Sequence, residues 1–429
     1  MRRRTLLLGV LGGSVGTASA RSLDGWKEEL KTTRLRLSNL TVVGADGDVE
    51  DNWGAEITNG VVRVSPDIRD GLDMSGHWLA PGFVDAGCRV GLFEVALEKG
   101  TRDDSEDNGF IQPTTRAYDG YNALSEVVPT VRANGITSIV VHPNINRLVP
   151  GLATAFTTVG SYRKDALIRV DSIFPETVGL CLALGRRGKG AGGPSSRMGI
   201  ASELRGIFDE FKPTPPEEEG LFKKDKPVPV DDSLEGNIWR SIRDKSIPLL
   251  IWADRVDDIM MALELKEEHD IDVVLVSCAE GWMVAREIAD AEVPILLGPT
   301  TVQPDSFEHL HARPDNPKLL YEAGVFFAFR SGYNHRSRTL PAMTALAVAH
   351  GLPWKAAIEA LCRNAYDILR LKRLPMLLKE GYQADADVIL CSGDPLLPST
   401  RIERCWVGGR EVDLRSKQTD LYHQYKERY

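Results

Sequence analysis

The sequence predicts an α/β protein, a TIM-like (β/α)8 barrel inserted in a small composite β-sandwich domain formed by the N- and C-terminal segments. Short apolar runs alternate with amphipathic helical patterns from residue 81 to about 375. Strand-like patterns precede this region at 33–80 and return after it at 381–412. A chain of 429 residues is long enough for one large domain and one small one.

The predicted elements follow from local patterns. Residues 35–43 alternate and then run apolar, and an Asn-Gly turn signal precedes a second strand at 61–64. Short apolar runs predict buried parallel barrel strands, with helices between them at 257–268 and 283–289. These strand runs lie at 137–141, 248–252, 272–276, 293–297 and 325–329.

The end of the chain returns to β-patterns and then becomes charged. Residues 386–391 and 402–412 are predicted to join the N-terminal strands, and a helix is predicted at 420–429, within a C-terminal segment at 413–429. Two segments are predicted to be loops. The Pro-, Glu- and Lys-rich stretch at 212–232 is a solvated excursion, and the Gly-rich stretch at 185–193 is a mobile loop over the barrel mouth.

The first 20 residues have the pattern of an export signal. A basic start, MRRRTLLL, leads into an apolar stretch and a small-residue cleavage pattern, and the paired arginines resemble a twin-arginine signal. We therefore predict an exported, periplasmic or extracytoplasmic protein. Removing residues 1–20, with three arginines and no acid, takes the net charge from −9 to −12.

Charge and composition exclude several classes of partner. A strongly acidic chain is a poor match for nucleic acid or an anionic membrane, and no stable membrane span is predicted in the mature protein. The six cysteines are scattered without metal-site spacing and are predicted to be small buried residues, although export leaves an occasional disulfide open.

Several motifs resemble the amidohydrolase superfamily, in particular its imidazolonepropionase-like branch. The stretch APGFVDAGCRVG at 80–91 is similar to the first barrel strand of that family. Further matches occur in the family's order: ANGITS at 133–138, SRMG at 196–199, and ADAD at 384–387 followed by SGDPL at 392–396. The resemblance covers residues from about 33 to 412 and implies the fold of a metal-dependent hydrolase.

The resemblance also implies one or two divalent metals, held by histidines at strand ends and by an aspartate after strand eight that acts as general base. This sequence has other residues at the expected ligand positions, namely Gly87, Arg89, Trp252, Asp254, Ser277 and Gly332. Glycine and guanidinium donate no electron pair to a metal. The sequence therefore predicts no metal and no cofactor, although zinc or another divalent metal would be required if a divergent site exists.

The barrel mouth is still predicted to bind a small molecule, because residues that follow barrel strands meet there. The candidate ligand-binding residues are Arg89, Glu94, Asn144, Trp252, Arg255, Ser277 and Arg330. The candidate catalytic residues are Asp85, Asp254 and His142, with Cys88 as a weaker nucleophile candidate. Arg89 and Arg330 would hold an anion such as a carboxylate. In the alternative, each pairs with Asp254, Glu94 or Glu280 and fills the space of the metals.

His309 and His311 have the spacing of a metal-binding pair and are predicted to be surface histidines in a loop.

Three functions stay open. The first is a non-catalytic exported protein that binds a small molecule, as a homodimer or as the partner of an active amidohydrolase. The second is a hydrolase of non-peptide carbon–nitrogen bonds with a divergent metal site built from Asp85, Glu94, His142, Asp254 and Glu280. The third is metal-free catalysis through Cys88 or Asp254. The second requires those carboxylates and His142 to converge, whereas the first requires ion pairs or apolar side chains in that volume.

Overall fold

Two sheets of nine strands organise the molecule. The structure, a computed structural model, describes residues 34–58, 61–210, 233–301, 306–373, 381–384 and 387–426. The predicted export signal at 1–20 and the predicted excursion at 212–232 lie outside these residues, so both stay predictions. In the described part of the chain, no helix combines the length and the apolar character needed to cross a membrane.

The first sheet contains strands from both ends of the chain, in the order β15-β3-β2-β1-β5-β16-β17-β18, with β4 paired to β1. Its strands are β1 Leu35–Val43, β2 Val49–Thr58, β3 Val61–Ser65, β4 Leu72–Asp73, β5 Trp78–Pro81, β15 Gly381–Ala384, β16 Val388–Cys391, β17 Ile402–Val407 and β18 Arg410–Val412. Strand β16 lies antiparallel to β5, and this pairing joins the two ends of the chain. Leu37, Val64, Leu79, Leu390 and Trp406 belong to the apolar core of this domain.

The second sheet forms a nearly closed barrel, in the order β14-β13-β12-β11-β10-β8-β7-β6, with β9 paired to β8. Its strands are β6 Phe83–Cys88, β7 Ile136–Val141, β8 Gly151–Thr157, β9 Leu167–Ile168, β10 Gly179–Ala183, β11 Leu249–Ala253, β12 Val273–Ser277, β13 Ile295–Leu297 and β14 Phe327–Phe329. Where the last and first strands meet, Gly332 N donates to Gly87 O over 2.8 Å. This confirms the predicted TIM-like barrel with an added β domain.

Helices surround the barrel, and α12 follows the last strand of the β domain. They are α1 Ala117–Gly120, α2 Val127–Arg132, α3 Arg163–Ala166, α4 Arg197–Glu210, α5 Leu234–Arg243, α6 Val256–His269, α7 Ala285–Asp290, α8 Asn316–Glu322, α9 Leu340–Ala349, α10 Trp354–Cys362, α11 Asn364–Ile368 and α12 Lys417–Tyr425. Single 3-10 turns occur at Lys99–Thr101, Gly281–Val284, Phe307–His309 and Ser337–Thr339.

Alternation along the barrel strands separates two apolar cores. On β12, Val273 and Leu275 belong to the large core that includes helix residues such as Ile259, whereas Val274 and Val276 belong to a second core with Trp252 and other barrel residues. Successive side chains of a strand point to opposite faces, so a barrel whose strands are apolar on both faces packs side chains inside as well as outside.

One prediction about the barrel was wrong in detail: not all of its strands are parallel. Strand β8 runs antiparallel to both β7 and β10. Only residues 142–150 separate β7 from β8, and a parallel crossover requires a dozen residues or more, so the chain turns back directly. As a result, the connection at 142–150 lies at the mouth of the barrel, beside the carboxyl ends of β6 and β7.

Candidate functional site

A cavity of about 260 Å³ opens at the carboxyl ends of the barrel strands. Four arginines line it, together with two histidines and several neutral side chains. The lining includes Arg89, His142, Asn144, Ile145, Arg187, Trp252, Ser277, Pro299, His309, Arg330, Ser331, Gly332, Tyr333 and Arg336. Three of these residues directly follow strands: β6 precedes Arg89, β7 precedes His142 and β14 precedes Arg330.

The guanidinium of Arg330 occupies the centre of the barrel mouth. Its side chain is buried, with 4% of the residue exposed. Nη1 donates to Gly298 O over 2.8 Å, and Nη2 lies 3.3 Å from His142 Nε2. Its Cζ also lies 5.6 Å from the centre of the Trp252 ring. Burial lowers the pKa of Arg330 to about 10, so the side chain is still a cation at neutral pH.

Two glycines make room for this guanidinium. A Cβ atom at Gly87 would lie 2.7 Å from Arg330 Nε, and one at Gly332 would lie 3.2 Å from Arg330 Nη2. Gly332 also has φ +77°, a conformation that disfavours any other residue there. Arg330 therefore fills space that side chains at positions 87 and 332 would otherwise occupy.

His142 faces Arg330 as a neutral imidazole. Its Nδ1 lies 2.8 Å from the carbonyl oxygen of Pro143, so Nδ1 carries the proton and Nε2 holds the lone pair. Nε2 therefore accepts a hydrogen bond from Arg330 Nη2. Burial and then the charge of Arg330 keep the pKa of His142 well below its usual range. The Nε2 atom of the imidazole is thus hydrogen-bonded to the guanidinium and is not available to bind a metal in this arrangement.

Asp85 lies fully buried on β6 and holds the segment after β14. Its Oδ1 accepts from Ser331 N over 2.9 Å and from Gly87 N over 3.2 Å, and its Oδ2 accepts from the Ser331 hydroxyl. Burial raises the pKa of Asp85, while the hydrogen bonds from Ser331 oppose that rise. These contacts assign Asp85 a role in positioning the backbone that carries Arg330.

Arg89 forms a different ion pair from those that the sequence suggested. Its Nη1 lies 2.5 Å from Asp104 Oδ2, so the partner is Asp104 and not Asp254, Glu94 or Glu280. The guanidinium also lies against the rings of Phe93 and Tyr333, at 5.0 and 4.8 Å from their centres. Residue 104 is distant in sequence from every predicted strand end, which is why the pairing could not be predicted.

Asp254, which follows β11, forms a pair with His309. Asp254 Oδ2 lies 3.4 Å from His309 Nε2 and 3.8 Å from Arg187 Nε. Burial alone would raise the pKa of Asp254, but the hydrogen bond from His309 and the charge of Arg187 lower it overall. The prediction that His309 is a surface residue was wrong, because its side chain is 16% exposed and lines the cavity.

The neighbouring pair involves Glu280 and His311. Glu280 Oε1 lies 2.8 Å from His311 Nδ1, and Glu280 Oε2 accepts from Val256 N at the start of α6. The His311 side chain is 54% exposed, as predicted for a surface histidine. His309 and His311 therefore contact two separate carboxylates, and they do not form one metal site.

The thiols near the site are protonated. Cys88 and Cys278 are both buried, and burial raises the pKa of each thiol well above its ordinary value, with Asp85 and Asp254 respectively adding to the rise. A thiolate nucleophile at Cys88, the weaker candidate from the sequence, is unfavourable in this environment.

The side chains around Arg330 do not fit the divalent metal that the sequence resemblance implies. Gly87, Arg89, Trp252 and Gly332 supply no ligand atoms, His142 Nε2 accepts a hydrogen bond from Arg330, and the guanidinium itself would repel a second cation. Among the described residues, no group of three or more His, Cys, Asp or Glu side chains is arranged to hold a metal. The carboxylates of Asp85, Asp254 and Glu280 are each engaged with different partners.

The structure places the predicted site residues in three groups. Arg89, Asn144, Trp252, Ser277, Arg330 and His142 line the central cavity, while Asp85 lies beneath it. Asp254 lies at its edge, in an outer cavity. Glu94 and Arg255 line neither cavity, and Arg255 instead pairs with Asp257, 3.4 Å away.

The sequence reasoning missed Tyr333 and Arg336 at the central cavity. Both follow β14 within a few residues, and that position after a barrel strand was the signal that could have identified them.

An outer cavity of about 450 Å³ adjoins the central one. Asn144, Ile145, Arg187 and His309 line both, so the two lie side by side. The remaining lining of the outer cavity is Asn146, Arg186, Lys189, Asp254, Ser306 and Glu308. The Gly-rich stretch at 185–193, predicted to lie over the barrel mouth, supplies the cations of this outer cavity.

Comparison with known proteins gives the fold. No family model matches the chain. A curated protein, amidohydrolase tasK of Hapsidospora irregularis, is 21% identical over an alignment of 363 residues that covers 79% of this chain and 36% of that protein. The chain therefore spans about a third of the length of the curated relative that it matches.

Two solved structures are similar over most of the chain. An amidohydrolase from Thermotoga maritima has 24% identity and a TM-score of 0.76, over 89% of this chain and 100% of that one. A prolidase in complex with N-methylphosphonate-L-proline has 13% identity and a TM-score of 0.52, with the same coverage. Together with the barrel and the added β domain, these similarities show that this chain has the amidohydrolase fold.

Proposed function

We propose that this protein binds a small anionic molecule in the mouth of its barrel, without a divalent metal. The observation that carries the proposal is Arg330, a buried guanidinium that lines the cavity. Among the described residues, no carboxylate oxygen lies within ion-pair distance of it. Burying a cation without a paired anion is costly, and an anionic ligand would offset that cost.

The surroundings of Arg330 favour an anion over other ligands. Arg336 lines the same cavity, and no ion pair reaches it from the described carboxylates. Arg187 and Arg89 add two more guanidinium groups, although each has a carboxylate nearby. Guanidinium groups form paired hydrogen bonds with carboxylates and phosphates, so a carboxylate or phosphate group is the expected ligand chemistry.

In this proposal the positive charge of Arg330 takes the place that a metal ion occupies in a metal-dependent hydrolase of this fold. The chain would then be a binding protein that has lost the metal-dependent reaction. The alternative, a hydrolase of carbon–nitrogen bonds with a divergent metal site, has Asp254 and His309 as its best-placed ligands, since they lie 3.4 Å apart at the cavity edge.

Metal content separates the two functions. The purified protein, incubated with zinc or manganese and then desalted, should retain less than about a tenth of an equivalent by elemental analysis, whereas a catalytic site holds about one or two ions. Stoichiometric metal that disappears in Asp254→Ala and persists in Asp257→Ala, an exposed aspartate outside the cavity, would overturn the proposal.

Ligand binding tests the role of Arg330 directly. Titration calorimetry with inorganic phosphate and with butyrate should show binding to the wild-type protein that is at least tenfold weaker in Arg330→Met, because a buried charge partner is lost. Arg336→Met, at an exposed position, should weaken binding without affecting folding. Arg286→Met provides the matched control, since Arg286 is exposed on α7 and lines neither cavity. Equal affinity in all four proteins would refute an anion site at Arg330.

A further inference from the structure

The two adjoining cavities each carry cations that line one cavity and not the other. Arg330 and Arg336 line the central cavity and not the outer one, whereas Arg186 and Lys189 line the outer cavity and not the central one. For all four cations, no ion pair with a carboxylate is formed among the described residues. Arg187 lines both cavities and lies 3.8 Å from Asp254, so its charge is partly compensated.

The passage between the two ends is neutral or already paired. Asn144 and Ile145 line both cavities and carry no charge. The carboxylates of the outer cavity contact other groups: Asp254 lies 3.4 Å from His309 and 3.8 Å from Arg187, and Glu308 lies 3.3 Å from Arg197, which also pairs with Asp258. Neither Asp254 nor Glu308 lies within ion-pair distance of Arg186 or Lys189.

From this arrangement we infer that the ligand carries two anionic groups, one at each end of a short chain, as in an α,ω-dicarboxylate or an ω-phosphonocarboxylate. One group would contact Arg330 and Arg336 in the central cavity, and the other would contact Arg186 and Lys189 in the outer cavity. The inference rests on the proposed anion-binding function and adds the second anionic group to it.

A single anionic group would satisfy only one end. The buried end offers the stronger interaction, because Arg330 is desolvated, whereas Arg186 is exposed and its attraction is weakened by solvent. The second group is thus expected to add a modest, salt-dependent gain, and the central group is expected to be indispensable.

Matched ligand series test the inference. Titration calorimetry would compare α,ω-dicarboxylates from succinate to suberate with ω-phosphonocarboxylates and with monocarboxylates of the same chain length, at low and moderate salt. At one chain length and low salt, a dianion should bind about fivefold more tightly than its monoanion, because exposed cations contribute little. The double variant Arg186→Ala/Lys189→Ala should reduce the dianion's affinity to that of the monoanion and leave the monoanion unchanged. Arg286→Ala should change neither.

Each outcome has a distinct meaning. Loss of all binding in Arg330→Met, with loss of only the dianion preference in the outer double variant, supports the inference. Equal affinity for monoanions and dianions at every chain length overturns it, while the proposed function stands. The absence of binding by every anion overturns both. A preference for the phosphonocarboxylates over the dicarboxylates also supports the inference, with a phosphate-like group at one of the two ends of the ligand.

Discussion

At the scale of single residues, the molecule buries a guanidinium that no described carboxylate contacts directly. Arg330 is stabilised by the Gly298 carbonyl, the His142 lone pair and the face of Trp252. Asp85 and Asp254 act on it only at longer range, where they favour its charged form. Dipoles and an aromatic face stabilise a cation less than a contacting anion does, so the burial of Arg330 is only partly compensated.

The packing of Arg330 against Gly87 gives a prediction at this scale. Gly87→Ala places a Cβ atom 2.7 Å from Arg330 Nε in a buried position and should lower the free energy of unfolding by roughly 1–3 kcal/mol. In an Arg330→Ala background the same change should cost less than about 0.5 kcal/mol, because the clash is gone. Urea unfolding of the four proteins measures the coupling. Additive costs would show that the two positions are not in contact.

Both residues of this contact can be identified from the sequence, but the contact between them cannot be predicted from it. Gly87 stands out because it lies at one of the ligand positions that the family resemblance implies, and Arg330 stands out because it follows a predicted barrel strand. The direction in which a long arginine side chain folds depends on its rotamer and on the space left by its neighbours, and neither is encoded in a local pattern. The same limit applies to Arg89, whose partner Asp104 lies in an irregular segment.

At the scale of elements, the segment at 306–313 is held against the barrel by paired charges. Glu308 pairs with Arg197 at the start of α4, His309 pairs with Asp254 after β11, and His311 pairs with Glu280. The indole nitrogen of Trp282 also donates to the His311 carbonyl over 3.0 Å. These contacts position the outer wall of the cavity, since Ser306, Glu308 and His309 all line it.

Asp254 should make this attachment dependent on pH. Because the folded protein holds the pKa of Asp254 below its ordinary value of 3.8, the unfolded chain takes up the proton first as the pH falls. The stabilisation by the charged carboxylate is therefore fully present above about pH 4 and is lost as the pH falls through the folded pKa. Asp254→Asn should be less stable than wild type by about 2 kcal/mol near pH 6, and the difference should shrink below pH 4.

Urea unfolding at a series of pH values from 3 to 6 checks this expectation, with Asp257→Asn as the exposed control. A stability difference for Asp254→Asn that stays constant over this range would show that the carboxylate is not the titrating group.

The elements themselves were predicted unevenly, for physical reasons. Leu35–Val43 and Val273–Ser277 combine alternation or apolar runs with clear boundaries, and both form strands as predicted. Strand Gly151–Thr157 was not predicted, since its sequence GLATAFT is buried throughout and has no alternation to mark it. The strand runs antiparallel to its neighbours because the connection before it is short. That short connection can be seen in the sequence only once the strand itself is recognised.

At the scale of the whole molecule, buried polar contacts link the barrel to the β domain. Asp387, just before β16, is buried and accepts from Arg373, from Gly408 N over 2.8 Å and from the Ser138 hydroxyl over 3.5 Å. Its carbonyl oxygen accepts from Gly82 N, at the start of the barrel. Arg132 of α2, also buried, donates to the Asp413 carbonyl oxygen and to the Thr158 carbonyl oxygen.

These shared contacts predict that the two domains unfold together. Asp387→Ala removes the buried carboxylate that accepts from Arg373 and Gly408 N and should destabilise the protein by roughly 3 kcal/mol. Far-ultraviolet circular dichroism and tryptophan fluorescence should report one coincident transition in both wild type and variant. Asp367→Ala, which breaks an exposed pair with Arg363, should leave the midpoint unchanged. Two separate transitions in the wild type would show that the domains are independent.

The contact between Gly87, Gly332 and Arg330 also constrains how this sequence can change over evolutionary time. A histidine introduced at position 87 or an aspartate at position 332 would meet the guanidinium before it could meet a metal. The histidine would clash with Arg330, whereas the carboxylate of the aspartate would pair with the guanidinium and neutralise the proposed anion site. A metal centre at this place would therefore need at least two coordinated changes, the removal of Arg330 and the introduction of a ligand, so no single substitution converts the one kind of site into the other.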